Sequence, residues 1–171
     1  FSNYGYRKVS MDEIAQQAGV TKKTIYTYFK DKDALIKFFL NEELVKMKII
    51  TDEIDKKDMP FADKIHETLM RLIEHRKNSK LLQAFTKDSQ QKPLKVADEC
   101  SEILNEAIQG EIRQKLELAI AKGHVKPCDP EITSFIIYKV YIALMFEWPK
   151  PIDKQKASAN IMNILKTGLF N

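Results

Sequence analysis

Apolar residues along this chain recur at the three- and four-residue spacing of a helix, not at the alternate spacing of a strand. Phe61, Ile65, Leu69, Leu72 and Ile73 fall on one stripe. A second runs through Ala97, Cys100, Leu104, Ala107 and Ile108 and continues to Ile112, Leu116, Ala119 and Ile120. A third takes Ala157, Ile161, Ile164, Leu165 and Leu169. The prolines Pro60, Pro93, Pro127, Pro130, Pro149 and Pro151 stand at the junctions between such stretches, where a missing amide donor costs little. Sustained period-2 alternation occurs nowhere. The pattern predicts an all-α fold.

Helix punctuation agrees with the stripes. Ser10 followed by Glu13 has the form of a capping box, each residue's side chain able to reach the other's amide. Thr21 and Asp31 stand where they can cap the helices that follow them. Gly123 ends the long segment that starts near Leu94, and Gly110 marks a candidate kink within it. Asp129-Pro130-Glu131 sets a cap, a first-turn proline and a first-turn acid in order. The chain is expected to divide near Lys46 to Ile54, giving domains of residues 1–48 and 49–171.

Composition narrows the classes. At 171 residues, with 44% hydrophobic and 30% charged residues, the chain suits one or two folded domains and excludes disorder over most of its length. Only 5 glycines and 6 prolines occur, which favours long elements over many turns. Cys100 and Cys128 cannot build a disulfide framework, and no secretory signal is visible, so a cytoplasmic location is expected. The run from Phe135 to Phe146 is broken by Lys139 and too short to span a bilayer, so no membrane partner is expected. The chain opens on Phe1 instead of methionine, and its first helix is expected to be truncated there. The net charge of +4 is mild, but residues 1–48 hold nine bases against six acids and so carry most of the excess.

The stretch from Met11 to Lys30 reads as two short helices around a tight turn. Ile14 and Ala18 are expected to point inward from the first helix, Val20 after the turn, and Ile25 with Tyr28 or Phe29 from the second. Ala15 is small enough for two axes to cross closely, and Gly19 stands where the chain must reverse. An αα-hairpin within a bundle would satisfy these features equally. The exposed content of the second helix favours a helix-turn-helix that enters a DNA groove. It offers Lys22, Lys23, Thr24, Thr27 and Tyr28, with no acid before Asp31. Cations at a helix start oppose the macrodipole, so stability alone does not account for them.

On these residues, Phe1 to Phe39 resembles the DNA-binding domain of the TetR family of transcriptional regulators. Gly5-Tyr6, Ile14-Ala15, Ala18-Gly19-Val20, Thr24-Ile25-Tyr26, Tyr28-Phe29, and Lys32 followed by Leu35 all fall at that family's spacing. A weaker likeness joins Leu118 to Gly123 and Asp129-Pro130 to the family's variable C-terminal domain. The resemblance implies that Lys22, Lys23, Thr24 and Thr27 face base edges, where lysine can donate to guanine and threonine offers a hydroxyl and a methyl. It implies phosphate contacts for Tyr26, Tyr28 and Lys32, with core packing the competing role of the two tyrosines. Tyr6 and Lys8 are further candidates for a phosphate.

For residues 49–171 the resemblance implies a helical domain that binds a small-molecule effector and dimerises through its last two helices. The sequence itself supports dimerisation. The helix from Pro130 is apolar nearly all round, and such a helix must be covered on more than one side. Ala157, Ser158, Ala159 and Gly168 are small enough to let a final helix pack closely. Candidate effector-lining residues are Phe61, His66, Met70, Phe85, Cys100, Tyr138, Tyr141 and Met145, although aromatic and methionine stripes of this kind more often form core than pocket. Lys139, inside an apolar run, is a candidate partner for an anionic effector, with snorkelling to solvent or pairing with an acid the commoner role of such a lysine. The implied function is a ligand-responsive repressor that binds a palindromic operator as a homodimer. A DNA-binding regulator or architectural protein without an effector remains open, as does, more remotely, a helical-bundle enzyme. Against the enzyme, Asp63 and His66 stand alone where a di-iron bundle needs paired motifs, and no nucleophile elbow or phosphate loop occurs. No cofactor or metal is expected.

Overall fold

The computed structural model describes residues 6–83, 95–147 and 153–168. Its helices are α1 (Met11–Gln17), α2 (Lys22–Tyr28), α3 (Lys32–Asp55), α4 (Phe61–Asn78), α5 (Lys95–Ala121), α6 (Pro130–Ile142) and α7 (Lys154–Gly168). A π-helical turn, Ala143–Glu147, continues α6. Among the described residues there is no β-strand, and the chain is all-α. Gly5, Phe85, Pro93, Pro149, Pro151 and Leu169 lie outside the described residues, as do the side chains of Met145, Ser158 and Leu165.

The local signals produce the ends of these helices. Ser10 and Glu13 form the reciprocal capping box that opens α1, with the Ser10 amide donating to Glu13 at 2.7 Å. Thr21 Oγ1 accepts the Thr24 amide at 3.1 Å, and Asp31 and Asp129 take the amides of Ala34 and Ile132 at 2.7 and 2.9 Å. After α1 the amides of Gly19 and Val20 return to the carbonyls of Gln16 and Ala15, a Schellman closure that needs the φ of +69° at Gly19. Gly123, at +72°, closes α5 in the same way through Ile120 and Ala119. A Cβ on either glycine would meet nothing within 4 Å, so substitution there carries only the backbone penalty. Gly19→Ala is therefore expected to cost about 1–2 kcal/mol in urea unfolding, and a loss near zero would mean that the turn relaxes to another closure. Helix α5 runs through Gly110 without a break.

The described residues divide into two compact units, one within Phe1–Met47 and Glu74–Leu104, the other within Lys48–Ile73 and Asn105–Asn171. Helices α3, α4 and α5 supply residues to both. In the first unit, Met11, Ala15, Ile25 and Leu35 form a buried cluster, with Ile14 and Phe29 packed against it. The inward positions thus differ in part from expectation. Ala18 and Val20 are exposed because they belong to the reversal after α1, and Met11 and Ala15, one turn apart, take the inner face instead.

The second unit buries Ile65, Leu69, Leu72 and Ile73 of α4 against no solvent at all or nearly none, with Ile108, Ile112, Leu116 and Ala119 of α5 similarly enclosed. On α6 the buried residues are Ser134, Ile137, Tyr138 and Tyr141. Helix α7 buries Ala157, Ile161 and Met162. Ile164, expected on the same stripe, is exposed, because the inward face follows Met162 and not the third residue after Ile161.

Candidate nucleic-acid interface

Helix α2 is fixed to its unit by one deeply buried side chain, Ile25, and leaves the rest of its surface open. Lys22, Lys23, Thr24, Tyr26, Thr27 and Tyr28 are all exposed. Tyr28 is 76% exposed, so core packing does not explain it, and Tyr26 stands at 43%. No acid occupies the first turn. The result is a short helix whose outward side carries two cations, two threonine hydroxyls and two phenol rings.

Not all of these groups are equally available. Lys22 pairs with Asp12 of α1 at 2.9 Å and lies over the Tyr26 ring, 5.9 Å from its centre. The hydrogen bond from Lys22 to Asp12 raises the ammonium above its ordinary value. Lys23 has no carboxylate partner among the described residues. Thr27 donates to the Lys23 carbonyl at 2.9 Å, which leaves its oxygen lone pairs and methyl for other contacts. Thr24 shares a hydroxyl contact of 2.9 Å with Thr21.

Lys32 is half-buried and differently employed. Its ammonium donates to the carbonyls of Tyr6 and Val9 at 2.8 and 2.9 Å and sits 4.2 Å from the centre of the Tyr6 ring. Two of its three donors therefore hold the segment that leads into α1. Tyr6 itself is buried and donates its hydroxyl to Asp33, and burial followed by that carboxylate pushes the phenol well above its usual range. Lys8 is exposed. The pairing of Asp12 with Lys22 and the Tyr6–Asp33–Lys32 group join residues ten to about thirty apart, and no periodic signal in the sequence reports such separations.

The effector candidates are scattered. His66 and Tyr141 meet in the second unit through a hydrogen bond between Nδ1 and the phenol, and burial lowers the imidazole and raises the phenol. Tyr138 donates to Asn105 Oδ1 at 2.6 Å, and Met70 is half-buried. Lys139 is exposed, its ammonium 5.5 Å from the centre of the Phe135 ring. Cys100 is buried in the first unit, its thiol pushed up by burial. Phe85 is outside the described residues, and Met145 is described only in its backbone. A cavity of about 820 Å³ does open in the second unit, beside the end of α3, the start of α4 and the end of α5. Of the effector candidates named from sequence, Phe61 alone is among the residues that line it.

Residues 1–37 match the family model of bacterial regulatory proteins, tetR family. Over 158 residues, 91% of this chain and 83% of its relative, the sequence is 35% identical to the uncharacterised HTH-type transcriptional regulator YhgD of Bacillus subtilis strain 168. The fold is similar to that of a Clostridium perfringens protein described as a "putative fatty acid metabolism regulator", with a TM-score of 0.67 at 22% identity over 98% of this chain and 92% of that one. It is also similar to a TetR/AcrR-family regulator from Thermobifida fusca, with a TM-score of 0.65 at 22% identity, covering 98% and 91% of the two chains.

Proposed function

Because the chain belongs to the TetR family of bacterial transcriptional regulators, we propose that it represses transcription by binding a palindromic operator as a homodimer and leaves that operator when a small molecule binds. The outward surface of α2 carries this reading. A helix pinned by Ile25 and bare of acid in its first turn presents Lys22, Lys23, Thr24 and Thr27 together, with Tyr26 and Tyr28 beside them. Lysine and threonine at the start of a recognition helix meet base edges, while phenols and further amines meet phosphates. Residues 1–48 act as the reading domain and residues 49–171 as the effector and dimerisation domain.

Dimerisation follows from how little one such helix can hold. A single helix-turn-helix reads a few base pairs, whereas two related by a two-fold axis read half-sites about 34–36 Å apart. The effector acts through that spacing. A molecule that favours the arrangement with misplaced recognition helices lowers operator affinity by its differential affinity for the two arrangements. Among the described residues no helix is long and apolar enough to cross a membrane.

Selection of bound duplexes from a random pool tests the reading directly. The expected product is an inverted repeat whose half-site centres lie about one helical turn apart. Recovery of sequences without two-fold symmetry would overturn the dimeric arrangement, and recovery of none would overturn DNA binding.

A further inference from the structure

The cavity of the second unit has a wall chemistry that the reading of DNA does not use. Its apolar lining comes from Met59, Pro60, Phe61, Ala62 and Ala119, with the exposed Leu118 beside them. Four lysines also line it, Lys64, Lys115, Lys122 and Lys166, against one carboxylate, Asp55. Lys115 is buried and pairs with Asp55, and Lys64 donates to the Asp55 carbonyl at 2.8 Å, where α3 ends. Lys166 pairs with Asp63 at 2.9 Å, while Lys122 is exposed and pairs with no carboxylate among the described residues. The first turn of α4 brings a positive helix end to the cavity and the last turn of α5 a negative one, so the two half-charges offset each other and the lysines set the field.

From this juxtaposition we infer that the cavity is a binding site for a small organic anion, a carboxylate or phosphate monoester joined to an apolar body. The volume is in the range of sites that enclose small molecules, and the combination of an apolar lining with a few polar groups is what fixes such a ligand in one orientation. An excess of ammonium groups around a concave, low-dielectric wall concentrates anions there and repels cations. The anionic head meets Lys122 and Lys64 without displacing a buried pair, and the body lies against Phe61 and Met59. Occupancy of the site stands by itself; only its use as the effector site rests on the reading of an effector-responsive regulator.

The test uses 1-naphthoate and 1-naphthyl phosphate as anionic probes and 1-naphthamide as the neutral one, titrated calorimetrically into the whole chain. Both anions are expected to bind saturably, at least tenfold more tightly than the amide, and the tighter of the two identifies the preferred head group. Lys122→Gln, a change at an exposed residue, is expected to weaken the anions about three- to tenfold and leave the amide unchanged. Leu118→Asp, also exposed, sets a carboxylate at the rim and is expected to weaken them at least tenfold. Equal affinities for the amide and the anions, unchanged anion affinity in both variants, or no saturable binding at millimolar probe would each overturn the site. Binding with no effect on operator affinity would uphold the site and overturn its effector role.

Discussion

A chain carrying Phe135→Asp and Ile136→Asp together is expected to sediment as a single copy and to lose operator affinity by about a thousandfold, the gap between specific and near non-specific binding. Helix α6 buries Ser134, Ile137, Tyr138 and Tyr141, which leaves Ile132, Phe135, Ile136 and Val140 on its opposite side. Ile132 and Ile136 are 58% and 54% exposed, and the four positions follow helical spacing, so they make one continuous apolar strip. Contiguous exposed apolar strips mark interaction surfaces, and in the proposed dimer a second copy covers this one. Two aspartates at the centre of a covered strip would be desolvated without partners, a cost of several kcal/mol that an ordinary dimer does not survive. Because both residues are exposed within the single chain, its own fold should persist and melt below the parent only by the stabilisation that association adds. Sedimentation with fluorescence anisotropy on a selected operator measures both effects. A double variant that still sediments as a dimer would place the partner surface elsewhere.

Lys23→Gln is expected to weaken operator binding by about tenfold and to reduce the slope of log K against log salt by about two, one unit for each half-site. Lys22→Gln should do less, because that ammonium must first leave Asp12, and Asp12→Asn should strengthen binding by releasing it and removing an anion from the interface. Lys32→Gln should show a different signature. Its ammonium holds the Tyr6 and Val9 carbonyls, so its loss should lower folding stability by about 2 kcal/mol, in the range for hydrogen bonds to charged groups. Salt titration and urea unfolding of the same four proteins separate the two roles. Unchanged affinity in Lys23→Gln would remove α2 from the interface; an undiminished stability in Lys32→Gln would show that its contacts to the two carbonyls are dispensable.

What sequence could say depended on how far apart the interacting residues lie. The capping box at Ser10 and Glu13 and the caps at Thr21, Asp31 and Asp129 involve neighbours within three residues, and each is present. Stripes on α4 and α5 are read from spacing alone, and Ile65, Leu69, Leu104, Ile108 and Ile112 are indeed enclosed. The inward set around Gly19 was less legible, since the reversal carries Ala18 and Val20 to the outside while periodicity assumes an uninterrupted helix. The same limit applied to Ile164, where a stripe one position wide of the true face was an equally regular pattern. Exposure of the α2 residues followed from the helix-turn-helix pattern; the engagement of Lys22 by Asp12 and of Lys32 by two carbonyls did not, because those depend on how separate helices meet. The lysine-lined cavity draws on α3, α4, α5 and α7, and no local pattern can bring Lys64 into one lining with Lys166, more than a hundred residues further along the chain.

The π-helical turn at Ala143–Glu147 bears on how long the apolar strip of α6 can be. A wider turn takes in an extra residue, and at 3.6 residues per α-turn the end of that turn stands about 100° from where an unbroken α-helix would place it. Residues 144–147 therefore leave the azimuth of Phe135 and Val140, so in the proposed dimer a partner lying straight along α6 would lose its apolar seam at Ala143. Deleting one residue from the widened turn would return residues 144–147 to the α-helical phase of Phe135 and Val140, and in the proposed dimer would carry the apolar seam past Ala143.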